Sequence, residues 1–313
     1  MAIVRDHGGG LDAAVAMYGG VRSDWIDLST GINPEPYPFT VPGRDAWNAL
    51  PDQAAVDRLV AAARTIWNVP DTAKVLAVPG ASAAIAQIPR LAPAGTVCIP
   101  TPTYNEHAAS FAGHGWTIIE KGEHCDAMVA VHPNNPDGHL WSDSDLKAPL
   151  CIIDESFCDV TPDASMIARA ARPDCLVLKS FGKFWGLAGV RLGFVIGDAD
   201  HVDRLSEMLG PWPVSGIALE IGAKAIADTA WANATRTRLV RDAARLDALM
   251  ISQGAQVAGG IPLFRLYDVG DATAWQHRLA KQHIWSRTFP YSKNWLRLGL
   301  PSTQDWPRVE AAL

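Results

Sequence analysis

Four polar residues in the middle of the chain follow one another in the order amide, carboxylate, amine and guanidinium: Asn135, Asp154, Lys183 and Arg191. A lysine amine in a glycine-containing segment can hold an aldehyde cofactor as a Schiff base. A carboxylate that ends an apolar segment can keep a ring nitrogen protonated, and a guanidinium can bind a phosphate. Taken singly, the lysine is typical of a solvated side chain, the aspartate of a helix cap and the asparagine of a turn. Their joint order favours a cofactor site.

Two further features could bind a cofactor phosphate. Ser180 offers a hydroxyl donor to the same anion as Arg191. The segment Gly80-Ala81-Ser82 opens a predicted helix directly after a predicted strand, so its backbone N–H groups would point at an anion placed there. A plain turn with an N-cap serine remains an alternative for that segment.

The elements that must position these residues alternate between strand and helix. The predicted strands are Lys74–Val78, Thr96–Ile99, Trp116–Glu120, Ala127–Val131, Leu150–Ile153, Cys175–Leu178 and Leu192–Ile196. Helices are predicted between several of them. This alternation predicts an α/β fold with a mostly parallel central sheet and helices on both faces. Because such sheets bind ligands beyond the carboxyl ends of their strands, the polar residues are expected to meet there.

The two ends of the chain have a different pattern. Four prolines between Pro34 and Pro42 predict an extended arm. The last third predicts two consecutive helices, 217–231 and 234–253, followed by short strands near 262–266 and 295–298. The predicted organisation is therefore an N-terminal arm and small-domain segment over 1–42, a large cofactor-binding domain over 43–210, and a C-terminal small α+β domain over 211–313.

Length and composition limit the class of protein. The 313 residues (33.6 kDa) are 48% hydrophobic and 19% charged, which is typical of a compact globule with room for a buried site. The 27 basic and 33 acidic side chains give a net charge of −6, which argues against a nucleic-acid or anionic-membrane partner. No apolar stretch approaches the roughly 18 residues that span a bilayer. We expect a cytoplasmic protein.

Several familiar signatures are missing from the sequence. It contains neither GxGxxG nor GxxxxGK[ST], and neither GxSxG nor HExxH. The five cysteines are odd in number and include no CxxC pair, so that neither a disulfide framework nor a zinc site is expected, and no other metal is expected. Dinucleotide oxidoreductases, P-loop kinases and α/β hydrolases are therefore disfavoured.

Asn135, Asp154, Ser180-Phe-Gly-Lys183 and the segment Gly186–Phe194 together resemble the fold-type I pyridoxal-phosphate enzymes, the aspartate aminotransferase superfamily. The segment Gly186–Phe194 resembles the histidinol-phosphate aminotransferase branch. The resemblance implies pyridoxal 5'-phosphate as the cofactor, held by Lys183 as Schiff base, and a homodimer with sites near the subunit interface. It also implies that Asn135 binds the phenolic oxygen and that Tyr104 stacks on the ring, although core packing is an alternative for Tyr104.

The N-terminal segment bears on the substrate. His7-Gly-Gly and Asp27–Pro34 resemble the cobalamin-pathway L-threonine-O-3-phosphate decarboxylases, as does Phe157, where the aminotransferases have tyrosine. The resemblance implies that Arg297 and Asn33 bind the substrate carboxylate. For the substrate phosphate we expect His7, the amides of Gly8 and Gly9, and Arg287, although His7 could equally cap the first helix and Arg287 could be an ordinary exposed strand residue.

Three hypotheses therefore stand at this point. The first is decarboxylation of L-threonine O-3-phosphate to (R)-1-amino-2-propanol O-2-phosphate in cobalamin biosynthesis. The second is an aminotransferase acting on histidinol phosphate or an aromatic amino acid. The third is a cofactor-binding scaffold without catalysis, which the presence of Lys183 opposes. One departure concerns the arm, where relatives often have Tyr-Pro-Asp and this chain has Leu50-Pro51-Asp52.

Overall fold

The computed structural model describes residues 7–122 and 124–313. Its helices are α1 (Leu11–Tyr18), α2 (Arg44–Asn48), α3 (Gln53–Ile66), α4 (Ala81–Gln87), α5 (Asn105–Gly113), α6 (Ala199–Leu209), α7 (Gly216–Ala227), α8 (Thr229–Ser252), α9 (Ala272–Ala280) and α10 (Trp306–Ala312). Its strands are β1 (Ile26–Asp27), β2 (Lys74–Val78), β3 (Thr96–Cys98), β4 (Thr117–Ile119), β5 (Ala127–Val131), β6 (Leu150–Asp154), β7 (Cys175–Ser180), β8 (Gly193–Gly197), β9 (Gln256–Ile261), β10 (Phe264–Asp268), β11 (Ile284–Trp285), β12 (Arg287–Phe289) and β13 (Ser292–Gly299). Across these described ranges, no helix combines the length and apolar character needed to cross a membrane.

The described chain forms two compact units. The large unit contains residues 37–135 and 140–233, and the small unit contains 7–36, 136–139 and 234–313. The predicted divisions at 42 and 210 therefore lie six residues after the first observed boundary and 23 residues before the second. The packing of α7 explains why the second boundary comes later than predicted. Helix α7 lies along α3 inside the large unit, and a Cβ at Gly222 of α7 would be 3.1 Å from Leu59 Cδ1 of α3.

The large unit is built on a sheet with the strand order β2-β8-β7-β6-β5-β3-β4. Within the described residues of this sheet, six strands share one direction and β8 runs in the opposite direction. The α/β prediction of a mostly parallel sheet is confirmed. Strands β5, β6 and β7 are buried along most of their length, as expected for the centre of a sheet with both faces covered.

Both faces of this sheet carry helices. Val195 packs in an apolar cluster with Ile85 of α4, Phe111 of α5 and Leu205 of α6. Its neighbour Phe194 must point to the opposite face, because successive strand side chains alternate. There the Phe194 ring meets Trp67, at the end of α3, with ring centroids 4.9 Å apart.

Capping residues set the limits of several helices in the large unit. Asp52 accepts the Ala55 N–H at 2.9 Å and begins α3, so Leu50-Pro51-Asp52 ends in a helix cap. Asp228 ends α7 and accepts the Trp231 N–H at 2.9 Å, which starts α8. The predicted break between these helices, near residue 233, was therefore wrong by several residues.

The small unit contains a four-stranded antiparallel sheet of order β12-β13-β10-β9 and a parallel pair, β1-β11, among the described residues. The predicted strand at 262–266 is in fact the turn and the start of the second arm of a hairpin, in which Phe264 pairs with Ile261. The predicted strand at 295–298 lies within β13. Arg287 of β12 stands directly opposite Arg297 of β13.

Candidate active site

The polar residues singled out in the large unit lie at one edge of its sheet. Asp154 is the last residue of β6, Asn135 follows β5 by four residues and Lys183 follows β7 by three. The pairings Val131–Asp154 and Asp154–Leu178 bring the ends of these three strands side by side. Arg191 precedes the antiparallel β8 and so reaches the same edge. Parallel strand direction thus assembles the set, as the sequence predicted.

Asp154 has a buried imidazole as its partner. Its side chain is almost fully buried, and Oδ2 lies 2.8 Å from His107 Nε2 while Oδ1 accepts the N–H of Ser156 at 3.0 Å and its hydroxyl at 2.5 Å. Burial alone would raise the pKa of Asp154, but the hydrogen bonds from His107 and Ser156 outweigh it, and the pKa is lowered. The carboxylate therefore stays charged, as a partner for a protonated ring nitrogen must.

Tyr104 lies among the same residues. Burial and the charges of Asp154 and Glu106 raise the pKa of Tyr104 to about 12, against a hydrogen bond from Ser82 and the charge of Arg191. The hydrogen bond from Ser82 places the phenol beside the start of α4, where the charges of Asp154 and Arg191 also act on it. The phenol is neutral at ordinary pH, so its ring and hydroxyl could both contact a cofactor.

The start of α4 leaves space that only glycine permits. Gly80 precedes the helix with φ +80° and ψ 147°, and a Cβ there would collide with the Arg191 guanidinium. A Cβ at Gly193 would lie 2.5 Å from the Ala81 nitrogen. Arg191 itself has φ +55°, a left-handed conformation that is uncommon for arginine. The backbone is therefore shaped to hold a guanidinium beside a helix N-terminus, an arrangement suited to a phosphate.

Lys183 is half-buried in the turn after β7. Its Nζ lies 5.4 Å from the centroid of the Phe157 ring, and its carbonyl accepts the Gly186 N–H at 3.1 Å. Ser180 Oγ accepts the Gly182 N–H at a long 3.4 Å. The aromatic ring beside the amine is that of Phe157, which carries no hydroxyl.

Two arginines, Arg297 and Arg287, are the candidate anion-binding residues of the small unit. Arg297 is 5% exposed and donates from Nη2 to the Ser29 carbonyl at 2.7 Å. Burial and the charge of Arg287 across the strand pair lower the pKa of Arg297 to about 10, against the effects of Tyr291 and Asp27. Two cations opposed in this way disfavour each other's charge, which an anionic ligand would favour. Arg287 is partly buried, and its role stays a prediction.

The glycines after His7 pack against a turn of the same unit. A Cβ at Gly8 would collide with the Ser29 carbonyl, and the Gly9 N–H donates to Ser29 Oγ at 2.7 Å. Ser29 is in turn fixed by Asp27, whose Oδ1 accepts both its N–H and its hydroxyl. His7 is exposed, and the N-cap residue of α1 is Gly10. Both expectations for His7, capping of the first helix and binding of the substrate phosphate, stay predictions.

Asn33 is buried and held through its oxygen. Oδ1 accepts the Glu35 N–H at 3.1 Å and a guanidinium N–H of Arg238 at 2.5 Å. Arg238 is itself paired with Asp242 at 3.1 Å. With the oxygen held in this way, the amide nitrogen is the atom that Asn33 would offer to a carboxylate.

Sequence reasoning missed three supporting residues: His107, Ser156 and Arg238. His107 comes three residues after Tyr104 and lies in the first turn of α5, whose N-cap residue is Tyr104. Ser156 lies two residues after Asp154, which is the spacing of an Asx turn. No local signal identifies Arg238, because 205 residues separate it from Asn33.

Comparison with known proteins gives the class. The model of the family "Aminotransferase class I and II" matches residues 47–312, and the chain belongs to this family. It is 38% identical over 314 aligned positions to a threonine-phosphate decarboxylase from Sinorhizobium sp., covering 94% of this chain and 92% of that protein. It is 36% identical to the threonine-phosphate decarboxylase of Pseudomonas aeruginosa, covering 98% and 97%.

A solved structure supports the fold. The histidinol-phosphate aminotransferase of Sinorhizobium meliloti, in complex with pyridoxal 5'-phosphate, superposes with a TM-score of 0.83 at 16% identity, covering 100% of this chain and 94% of that one. The resemblance inferred from the sequence is confirmed, and the chain is a pyridoxal-phosphate-dependent enzyme. The large-unit geometry fits this cofactor, since it offers a glycine cradle beside Arg191, a buried charged Asp154 and a half-buried amine.

Proposed function

We propose that the protein decarboxylates L-threonine O-3-phosphate, releasing CO2 and (R)-1-amino-2-propanol O-2-phosphate. The observation that carries this proposal is the near full-length identity of 38% and 36% to two threonine-phosphate decarboxylases. The substrate has a carboxylate and a phosphate, and the cross-strand pair of Arg287 and Arg297 supports a ligand of high negative charge.

The residues of the large unit are assigned to the cofactor. Bound pyridoxal phosphate supplies an electron sink conjugated to the substrate α-carbon. Asp154 holds the proton on the pyridine nitrogen, and His107 and Ser156 keep that carboxylate charged and oriented. Lys183 is the amine that binds the cofactor covalently and the group that returns a proton to the α-carbon after CO2 leaves.

The remaining large-unit residues hold the cofactor in place. Tyr104 stacks on its ring and Asn135 donates to its phenolic oxygen. The phosphate is bound by a set of backbone and side-chain donors that the sequence predicted: Gly80, Ala81, Ser82, Ser180 and Arg191. The position of Arg191 against Gly80, at the N-terminus of α4, supports this assignment.

The small-unit residues are assigned to the substrate. Arg297 and the Asn33 amide would bind the carboxylate and fix its orientation at the α-carbon. Arg287 and His7 bind the substrate phosphate with the backbone of Gly8 and Gly9. The Gly9 amide would have to exchange its present Ser29 acceptor for a phosphate oxygen.

The aminotransferase alternative receives less support. Phe157 removes the hydroxyl that the tyrosine of aminotransferases directs at the cofactor oxygen, and its ring lies 5.4 Å from Lys183 Nζ. The solved aminotransferase at 16% identity supports the fold alone.

Assembly, pathway and location belong to the same proposal. We place the enzyme in cobalamin biosynthesis, in the cytoplasm and as a homodimer. The first residues of the large unit carry exposed apolar side chains, including Val41, Trp47 and Leu50. Such exposed side chains support a subunit interface there. Sedimentation of the loaded protein at micromolar concentration should give the mass of two chains.

A product assay tests the reaction. The protein loaded with pyridoxal phosphate is incubated with L-threonine O-3-phosphate, with and without 2-oxoglutarate, while CO2 and glutamate are measured. CO2 release that is independent of the keto acid is the expected result. Glutamate formation without CO2 would establish an aminotransferase, and neither product would reject both reactions on this substrate. L-Serine O-phosphate, which lacks one methyl group, serves as the specificity control, and a preference of about 10- to 200-fold is expected.

A further inference from the structure

A buried ionic cluster in the large unit has no part in the chemistry assigned above. Lys179 of β7 is 2% exposed, and its Nζ lies 2.5 Å from Glu155 Oε2 and 3.6 Å from Asp159 Oδ1. Burial alone would lower the pKa of Lys179, but the two carboxylates outweigh it and raise the pKa. Glu155 also accepts hydrogen bonds from Ser165 and Met166. Lys179 therefore stays charged, and hydrogen bonds and ion pairs hold the cluster in place.

Asp159 connects this cluster to the segment that carries Lys183. Its Oδ1 accepts the indole N–H of Trp67 at 2.8 Å, and its Oδ2 accepts the indole N–H of Trp185 at 3.0 Å. Trp185 is two residues from Lys183 and fully buried. Its ring is stacked between Phe181, at a centroid distance of 5.5 Å, and Trp231, at 5.4 Å.

The position of a lysine amine depends strongly on the backbone beneath it. The side chain of Lys183 has four rotatable carbon–carbon bonds and no fixed geometry of its own. Its turn, between β7 and residue 188, contains no regular helix or strand. The Trp185 indole, fixed by stacking and by the bond to Asp159, anchors this turn directly after the lysine.

We propose that Asp159 is a positioning residue for Lys183, acting through its hydrogen bond to the Trp185 indole. This inference rests on the proposed role of Lys183 in binding the cofactor. The carboxylate fixes the indole, the indole fixes the turn, and the turn holds the amine where it can bind the cofactor and deliver a proton. Lys179, itself bound by Glu155, lies 3.6 Å from Asp159 Oδ1 and restrains the carboxylate independently of the turn.

The two indoles on Asp159 supply a matched test. Trp67→Phe and Trp185→Phe each remove one N–H donor from the same carboxylate and leave an aromatic ring in place. Trp67 ends α3 and lies far from Lys183 along the chain, whereas Trp185 is in its turn. A purely structural role of the cluster predicts similar consequences for the two variants.

The measurements use the protein loaded with pyridoxal phosphate. Visible circular dichroism reports how rigidly the bound cofactor is oriented, and steady-state kinetics separate kcat from KM. We expect Trp185→Phe to weaken the dichroism band and to lower kcat about 10- to 100-fold with a smaller change in KM, since a displacement of about 1 Å can cost 10²-fold. Trp67→Phe should keep the dichroism band and kcat of wild type. In the cofactor-free protein it should lose about as much thermal stability as Trp185→Phe does.

Further variants make every outcome decisive. Asp159→Asn, which has one acceptor oxygen for two indoles, should reproduce the effect of Trp185→Phe, and it is the substitute if Trp185→Phe does not fold. Equal kcat and equal dichroism in the two tryptophan variants, or an Asp159→Asn protein like wild type, would overturn the proposal. If the Lys183→Ala protein retained covalently bound cofactor, the assignment of Lys183 to the cofactor would itself be rejected. Failure of the positioning proposal and failure of the lysine assignment are therefore distinguishable.

Discussion

The large and small units use charge in opposite ways. In the large unit the surroundings of two buried groups favour their charged forms. Hydrogen bonds from His107 and Ser156 outweigh burial and lower the pKa of Asp154, and the carboxylates of Glu155 and Asp159 outweigh burial and raise the pKa of Lys179. In the small unit burial and the opposed Arg287 lower the pKa of Arg297 to about 10, so the surroundings disfavour its charge, which an anionic ligand would favour.

This difference predicts which substitutions lower the stability of the protein and which affect only the binding of its ligands. Asp154, whose surroundings favour its charge, contributes both to the fold and to the cofactor site, so that its loss should cost both. The loss of Arg297, whose surroundings disfavour its charge, should affect substrate binding while costing the free protein little stability. The variants below test this contrast in order of decreasing effect.

Lys183→Ala should have the largest effect. It removes the amine that binds the cofactor, so the visible absorbance of covalently bound cofactor should vanish and CO2 release should become undetectable. Because Lys183 is half-buried in a turn, unfolding of the cofactor-free protein should change by no more than about 0.5 kcal/mol. Lys147→Ala, an exposed lysine of the same unit, is the control and should retain full activity.

Asp154→Asn should damage both activity and stability. The loss of a charge placed against the developing charge of the reaction should lower kcat about 10²- to 10³-fold. The free energy of unfolding at pH 7 should fall by about 1–3 kcal/mol, because His107 and Ser156 lose a charged acceptor.

The pH dependence of that stability loss has a defined sign. The pKa of Asp154 in the folded protein lies below its ordinary 3.8, so its contribution is complete above that value and is lost as the pH falls through the folded-state pKa. The stability difference between wild type and Asp154→Asn should therefore narrow below about pH 4. Chemical denaturation at several pH values measures it, and a constant difference down to pH 2 would contradict the carboxylate's role.

Arg297→Met should affect substrate and spare the fold. We expect kcat/KM to fall roughly 30- to 1000-fold, which corresponds to the loss of about 2–4 kcal/mol of binding energy. Most of the change should be in KM. The substrate-free protein should be as stable as wild type or more stable, because burial and the neighbouring Arg287 disfavour the charge.

An arginine of the same sheet is the matched control for Arg297. Arg265 of β10 is bound by the carboxylate of Asp247 through two bonds of 2.9 Å. Arg265→Met should lower stability and leave KM unchanged, the reverse of Arg297→Met. Loss of stability in Arg297→Met as large as in Arg265→Met would remove the contrast between a charge that its surroundings favour and one that they disfavour.

The two units also differ in how far the sequence predicts them. Asn135, Asp154 and Lys183 were expected together because each follows a short apolar strand, and the carboxyl ends of parallel strands meet at one edge. Local sequence contains that information. The mostly parallel sheet followed from the same pattern, and the expected strands match β2 to β8 within one or two residues at each end.

The small unit depends on partners that are remote in sequence. Arg238 holds Asn33 across 205 residues, and Arg297 reaches the Ser29 carbonyl across 268. The opposition of Arg287 and Arg297 requires the register of β12 and β13, which no local pattern fixes. The place of α7 was likewise misjudged, because its packing on α3 involves residues more than 150 positions apart.

Gly80→Ala should give the smallest effect and tests how firmly the large unit prepares the phosphate site. Gly80 has φ +80° and ψ 147°, a conformation nearly exclusive to glycine, and a Cβ would displace the Arg191 guanidinium. Either the backbone or the guanidinium must move, so the dissociation constant for pyridoxal phosphate should rise about tenfold, equivalent to about 1.4 kcal/mol. Gly189→Ala, where a Cβ would meet nothing within 4 Å, is the control. If both variants bind the cofactor as tightly as wild type, the phosphate is held elsewhere, and the large unit is less prepared for its ligand than the conformation of Gly80 implies.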